Sequence, residues 1–299
     1  MRVGITLPML EVFPGGAPPT WSEILGLART AERHGLDSVW CADHLIYRPP
    51  EGGDFGPHEA WTLMSAVASA TERISIGSLV MCTPLRNPGL VANMAATFDR
   101  IAPGRLVLGV GAGWHDPEFE AFGLPTDHKV GRFEEWIEIV ARLLRGERLT
   151  FSGRYFSLRD AIVLPPPENR IPILVGSTRP RMHSLAARWA DAWNTSWHGA
   201  PDEHLDERSQ SFEEALHASG REPESLLRTA GMIVRDPDQV PADGPTDVFD
   251  GSVDALAAAL NAYSERGFGE VIVKLQPATT RSLERLAEAR SLAAVQQTH

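Results

Sequence analysis

The sequence predicts a (β/α)8 barrel, one α/β domain spanning residues 1–299. Two observations carry that expectation. Eight short apolar, β-rich runs alternate with eight amphipathic helical segments from one end of the chain to the other. The composition also shows no break near the middle that would divide the chain into halves. A doubly wound open sheet is the alternative for the same alternation, and the length favours the barrel.

The strands are expected at 3–7, 38–41, 74–81, 106–110, 171–175, 192–195, 229–234 and 271–274. The run from Leu106 to Val110 is apolar throughout, as in a parallel strand buried on both faces. Helices are expected at 21–34, 59–70, 87–101, 132–145, 181–190, 203–218, 252–266 and 280–294. The first has Thr20 as its cap and stops at Gly35; the fourth carries Trp136, Ile139, Val140, Leu143 and Leu144 on one stripe. One segment breaks the alternation. Residues 149–158 read as a hairpin around Ser152-Gly153, inserted between the fourth helix and the fifth strand. It is expected to be a structural cover on the bottom or side of the barrel.

Bulk properties exclude several function classes. A net charge of −11 is unsuited to a nucleic-acid surface, which needs clustered Lys and Arg. No apolar run is long enough to span a membrane. No charged-then-apolar signal segment precedes Val3, so a cytoplasmic protein is expected. Cys41 and Cys82 end apolar runs without a CxxC partner and read as reduced core thiols. The histidines are scattered, so no metal site is expected.

In such a barrel the chemistry lies at the carboxyl ends of the strands. After strand one comes a Pro- and Gly-rich loop from Pro14 to Pro19, a lid or a plain connection. Strand two ends in Asp43-His44, a carboxylate beside an imidazole and so suited to proton transfer. The structural alternative is a turn capped by Asp43 with His44 bonded to a loop. The polar loop from Tyr47 to Pro57 offers Tyr47 and Phe55 as pocket aromatics and reads as flexible. Arg86, after strand three, reads as an anion partner, a helix-start residue or a surface-paired arginine. Strand four ends in Gly111-Ala112-Gly113-Trp114, with His115, Asp116 and Glu118 behind it. That turn is not a dinucleotide fingerprint, because no acidic residue ends a following strand in the required place. Strand five ends in Gly176-Ser177-Thr178-Arg179-Pro180 at a helix start, either an anion cradle or a plain Ser/Thr N-cap.

Taken together, several segments resemble the bacterial luciferase-like family, specifically its deazaflavin (coenzyme F420) dependent branch. They are Val39 to His44, Ile76 to Pro88, Pro103 to Gly123, Gly131 to Glu135, Gly153 to Phe156 and Ile171 to Ser177. The resemblance implies a TIM barrel with a flavin or deazaflavin across its C-terminal face. It implies a non-proline cis peptide after strand three, matching Leu79–Val80 and backing the ring. It gives cofactor contacts to Asp43, Ser78, Leu79, Val80 and Gly111, and the phosphate site to Gly176, Ser177 and Thr178.

The expected activity is hydride transfer between a substrate carbon and C5 of the deazaflavin. His44 handles the substrate proton, and Asp43 orients His44 or the ring. Sugar-phosphate dehydrogenases of this branch carry a Glu where this chain has Trp114. A larger or more apolar substrate is therefore expected, with Trp114 and Tyr47 in the pocket wall. The alternatives are an FMN-dependent monooxygenase, supplied with reduced flavin by a separate reductase, and a non-catalytic flavin-binding protein. Relatives are usually homodimers, so a homodimer acting on a small molecule is expected.

Overall fold

The computed structural model describes residues 1–10, 15–240 and 247–296. Pro14, at the start of the proposed first-loop lid, lies outside the described residues. Eight parallel strands follow one another around a ring: β1 (Arg2–Thr6), β2 (Ser38–Cys41), β3 (Ser75–Ser78), β4 (Leu106–Gly111), β5 (Ile173–Gly176), β6 (Ala192–His198), β7 (Leu227–Arg235) and β8 (Glu270–Gln276). β8 pairs with β1 through Arg2 and Glu270, and β3 pairs with β4 through Ile76 and Leu106. Every neighbour is joined, so the sheet has no open edge and the doubly wound alternative is excluded.

Outside the ring lie α1 (Trp21–Arg33), α2 (Ala60–Ala70), α3 (Pro88–Ile101), α4 (Lys129–Leu144), α5 (Pro180–Trp189), α6 (Glu203–Ala218), α7 (Val253–Glu265) and α8 (Thr280–Gln296). Thr20 caps α1 in a capping box with Glu23. Strand alternation divides the core in two. Val3, Val39, Ile76, Leu108, Val175 and Val273 face outward and pack with the helices. Trp40, Leu174, Ala192 and Ile272 fill the lumen. Trp40 fits there because its neighbour is a glycine: a Cβ at Gly77 would lie 2.3 Å from its ring.

The expected strand over 74–81 is interrupted. β3 ends at Ser78, the Leu79–Val80 peptide is cis, and Met81–Cys82 forms a separate short strand beside β4. A short helix, Asp116–Ala121, follows β4 unanticipated, since six residues hold too little periodicity to read. The segments Leu149–Ser152 and Ser157–Ala161 pair antiparallel and pack on Ala92, Ala96, Ile139 and Leu143 of α3 and α4. Glu135 of α4 accepts hydrogen bonds from the amides of Arg154, Tyr155 and Phe156 in the connecting turn.

One buried acid closes the floor of the lumen. Glu270 accepts a hydrogen bond from the Ser38 hydroxyl, which itself accepts one from Trp40 Nε1. Burial raises the Glu270 pKa and outweighs the pull of Arg2. A raised carboxyl pKa favours the protonated native state, so stability is lost as pH climbs through it. Glu270→Gln keeps the Ser38 acceptor and removes the charge. The variant should melt above the parent at pH 8, with the gap closing towards pH 5. A gap that does not change with pH, measured by thermal denaturation, would contradict this account.

Candidate active site

The chain leaves β2 through Asp43 and His44, and the two side chains part. Asp43 is buried. Its carboxylate accepts hydrogen bonds from Arg86 Nη1 at 2.6 Å, Arg86 Nη2 at 2.9 Å and the Cys82 amide at 2.8 Å. Arg86 also bonds Glu59, the N-cap of α2, and its carbonyl accepts from Trp136 Nε1 of α4 at 2.9 Å. Arg86 is thus not a surface-paired arginine. The expectation that Asp43 orients His44 is corrected here: both carboxylate oxygens are held by a guanidinium from beyond β3, a stronger partner than a neutral imidazole.

His44 finds its carboxylate elsewhere. Its Nδ1 lies 3.3 Å from Oε2 of Glu118, on the short helix after β4. Glu118 is fully buried, and its Oε1 accepts from the amides of Leu45 and, at 3.2 Å, Ile46. Burial raises the Glu118 pKa, but His44 and these amides outweigh it and hold the carboxyl below its usual range. Rings surround His44, with Tyr47, Trp114 and His115 at centroid distances of 5.9, 5.8 and 6.0 Å. His115 Nε2 accepts the Arg48 amide at 2.9 Å, and burial together with His44 lowers its pKa. The loop expected to be flexible is tied instead: Tyr47 and Phe55 exchange backbone hydrogen bonds at 3.0 and 2.9 Å.

A cleft opens between these groups. His44, Trp114, His115 and Glu118 line one part, and Leu79, Val80, Cys82 and Gly111 another, with Asp43 also at its wall. Trp114 is 66% exposed, a large aromatic held at the rim. Leu79 and Val80 are half-buried and offer an apolar step at the mouth of the lumen. Gly111 and Gly176 flank that step; a Cβ there would meet Val80 at 2.7 and 3.0 Å. The space those glycines leave is filled by Val80. Burial, aided by Asp43 and Glu118, pushes the Cys82 thiol far up, consistent with a reduced core thiol.

Two of the expected cofactor residues have their polar groups engaged within the protein. Ser78 is buried with its hydroxyl donating to Gly109 O at 2.7 Å, so it faces the barrel wall. Ser177 is also turned inward: its amide donates to Asn194 O at 3.1 Å and its hydroxyl accepts from Trp193 Nε1 at 3.1 Å. The N-cap of α5 is Arg179 with no side-chain cap bond, so the Ser/Thr N-cap alternative fails as well. Thr178 and Arg179 are exposed at that helix start, and their amides make no backbone hydrogen bond among the described residues.

The family model of luciferase-like monooxygenases matches residues 1–243. An F420-dependent glucose-6-phosphate dehydrogenase of Nakamurella multipartita is 34% identical over 69% of this chain and 61% of its own length. The enzyme of the same name from Microbacterium testaceum is 34% identical over 67% of this chain and 60% of its own. The chain therefore spans about three-fifths of the length of these relatives. An F420-dependent secondary alcohol dehydrogenase structure superposes with a TM-score of 0.81 at 21% identity, covering 98% of each chain. A monooxygenase from Streptomyces bottropensis gives 0.80 at 23% identity, covering 98% of this chain and all of its own. These two likenesses establish the fold.

Replacing Arg86 tests the Asp43 network. Arg86→Met leaves a buried carboxylate with one amide donor, a loss of about 3–5 kcal/mol. The denaturant midpoint should fall with its slope unchanged. A loss below about 1 kcal/mol, the range of an exposed pair, would contradict the assigned role.

Proposed function

The chain belongs to the luciferase-like monooxygenase family, and from that premise we propose that it is an F420-dependent oxidoreductase acting on a small organic substrate. The observation that carries this reading is His44, an imidazole at the cleft rim backed by a buried carboxylate. The names of the curated relatives support the choice of cofactor.

The residues present fit a planar tricyclic cofactor with a phosphate-bearing tail. The half-buried Leu79–Val80 step suits the face of a ring. The exposed helix start at Thr178 and Arg179 suits a phosphate, through free amides and the positive end of α5. Bound there, the deazaflavin would supply the carbon that accepts or gives the hydride. The protein's own part is positional and acid–base. Leu79 and Val80 back the ring, with Gly111 and Gly176 making room for Val80. His44 exchanges a proton with the substrate oxygen through Nε2. Asp43 holds Arg86 and the backbone at Cys82, and so fixes the floor of the site. Trp114, and Tyr47 behind it, wall the substrate and favour one with an apolar face over a sugar phosphate.

The family description, a luciferase-like monooxygenase, supports a second reading, which we frame as an FMN enzyme fed by a separate reductase. The ring step and phosphate seat suit either cofactor, whereas the relatives' names favour F420. We propose a homodimer on the exposed Leu90 and Ile101, which lie three turns apart on one face of α3. No helix among the described residues is long and apolar enough to cross a membrane, and a cytoplasmic setting is part of the proposal.

Two measurements test this. In fluorescence titrations, oxidised F420 should bind at least about tenfold more tightly than FMN, a difference of about 1.4 kcal/mol. Tighter FMN binding would favour the monooxygenase. His44→Ala should retain F420 binding and slow single-turnover hydride transfer by about 100- to 10,000-fold. An undiminished rate would remove His44 from the proton path.

A further inference from the structure

We infer that Glu118 is a positioning residue that fixes His44 in the tautomer carrying its proton on Nδ1, leaving Nε2 as the proton-accepting atom. The inference rests on the reading of His44 as the proton-handling group. Its warrant is a count of donors and acceptors.

An ionised carboxylate only accepts hydrogen bonds. Oε1 of Glu118 is committed to the amides of Leu45 and Ile46, the two residues that follow His44. Oε2 is left for His44 Nδ1. A contact between that oxygen and that nitrogen needs a hydrogen on the nitrogen. A neutral imidazole with Nδ1–H carries its lone pair on Nε2. One side chain therefore grips both the ring and the backbone that bears it.

Among the described residues, no other group around the ring competes. His115 Nε2 is engaged with the Arg48 amide, and Asp43 is taken by Arg86 and Cys82. Tyr47 and Trp114 contact the ring tilted or edge-on.

In the oxidising direction the step balances. The substrate O–H bond breaks and its proton joins the Nε2 lone pair. With an oxidised deazaflavin bound as the hydride acceptor, the C–H bond would break with its electron pair and a carbonyl would form. The imidazolium that results carries N–H on both nitrogens, and its Nδ1–H remains on the Glu118 carboxylate. Reduction returns the same proton.

Glu118→Gln separates positioning from filling space, because it keeps the shape and changes the chemistry. A glutamine has one acceptor oxygen, and the Leu45 and Ile46 amides require it. Its NH2 then faces His44 Nδ1, which must present a lone pair, and the ring proton moves to Nε2. Nitrogen-15 shifts of histidine-labelled full-length protein, without cofactor, read this directly. The parent should show His44 with Nδ1–H and Glu118→Gln with Nε2–H. Turnover of the variant should fall by about 100-fold or more, with F420 binding little changed. Glu118→Asp, an acceptor with a shorter reach, should keep the parent tautomer and recover part of the rate. A parent that carries Nε2–H would overturn the inference without any variant. So would Glu118→Gln retaining Nδ1–H, or Glu118→Asp as impaired as Glu118→Gln. Full activity of His44→Ala would instead remove the proton-transfer reading and leave the tautomer measurement standing.

Discussion

The site depends on one buried ion pair. Asp43 and Arg86 meet with two hydrogen bonds, and each is tied further: Asp43 to the Cys82 amide, Arg86 to Glu59 and Trp136. The pair joins the end of β2, the chain beyond β3, the start of α2 and the middle of α4. Such a pair adds little net stability over apolar packing of the same volume, because desolvation cancels most of the attraction. Its consequence is geometric. Alternative arrangements of these loops would strand a charge away from water. The Leu79–Val80 step and His44 are held within a few residues of the two partners, so the cleft inherits its shape from the pair.

A second device recurs around the barrel. A carboxylate on a helix accepts several backbone amides from a neighbouring loop. Glu32 of α1 takes Glu72, Arg73 and Ile74. Asp99 of α3 takes Gly104, Glu168 and Asn169. Glu135 of α4 does the same for the turn at 154–156. Each satisfies donors that a connecting segment would otherwise leave unpaired. Glu118 is built on this plan, with two loop amides on one oxygen. It differs in what its second oxygen meets, an imidazole at a cleft. On the proposed reading of His44, a structural clamp thereby becomes part of an acid–base site without any change in its own chemistry.

This explains what was legible in the sequence. The eight strands were readable because both faces of a parallel barrel strand are buried and the runs are mostly apolar, unbroken in the case of Leu106 to Val110. Asp43 and His44 were readable as a strand-end pair. Their partners were not, because Arg86 lies 43 residues from Asp43 and Glu118 lies 74 from His44. Adjacency in sequence suggested that the carboxylate served the imidazole, whereas the fold supplies each with a remote partner of better fit. The partners of Ser78 and Ser177 were hidden for a related reason. A hydroxyl at a strand end suits a ligand or a wall equally well in sequence, and here Gly109 O and Trp193 Nε1 take them.

The glycines that end β4 and β5 carry the same lesson one step further. Read alone, a glycine-rich strand end suggests backbone laid bare to a cofactor. In the barrel, Gly111 and Gly176 stand on either side of Val80, and a side chain at either would collide with it or press against it. Gly77 gives Trp40 its room in the lumen in the same way. The barrel thus exchanges a missing side chain on one strand for a bulky one on its neighbour. The apolar step at the mouth is built from Leu79 and Val80, and the glycines determine where it stands. A ring resting there would touch side chains whose positions are set by absent ones, so enlarging either glycine acts on the site through Val80.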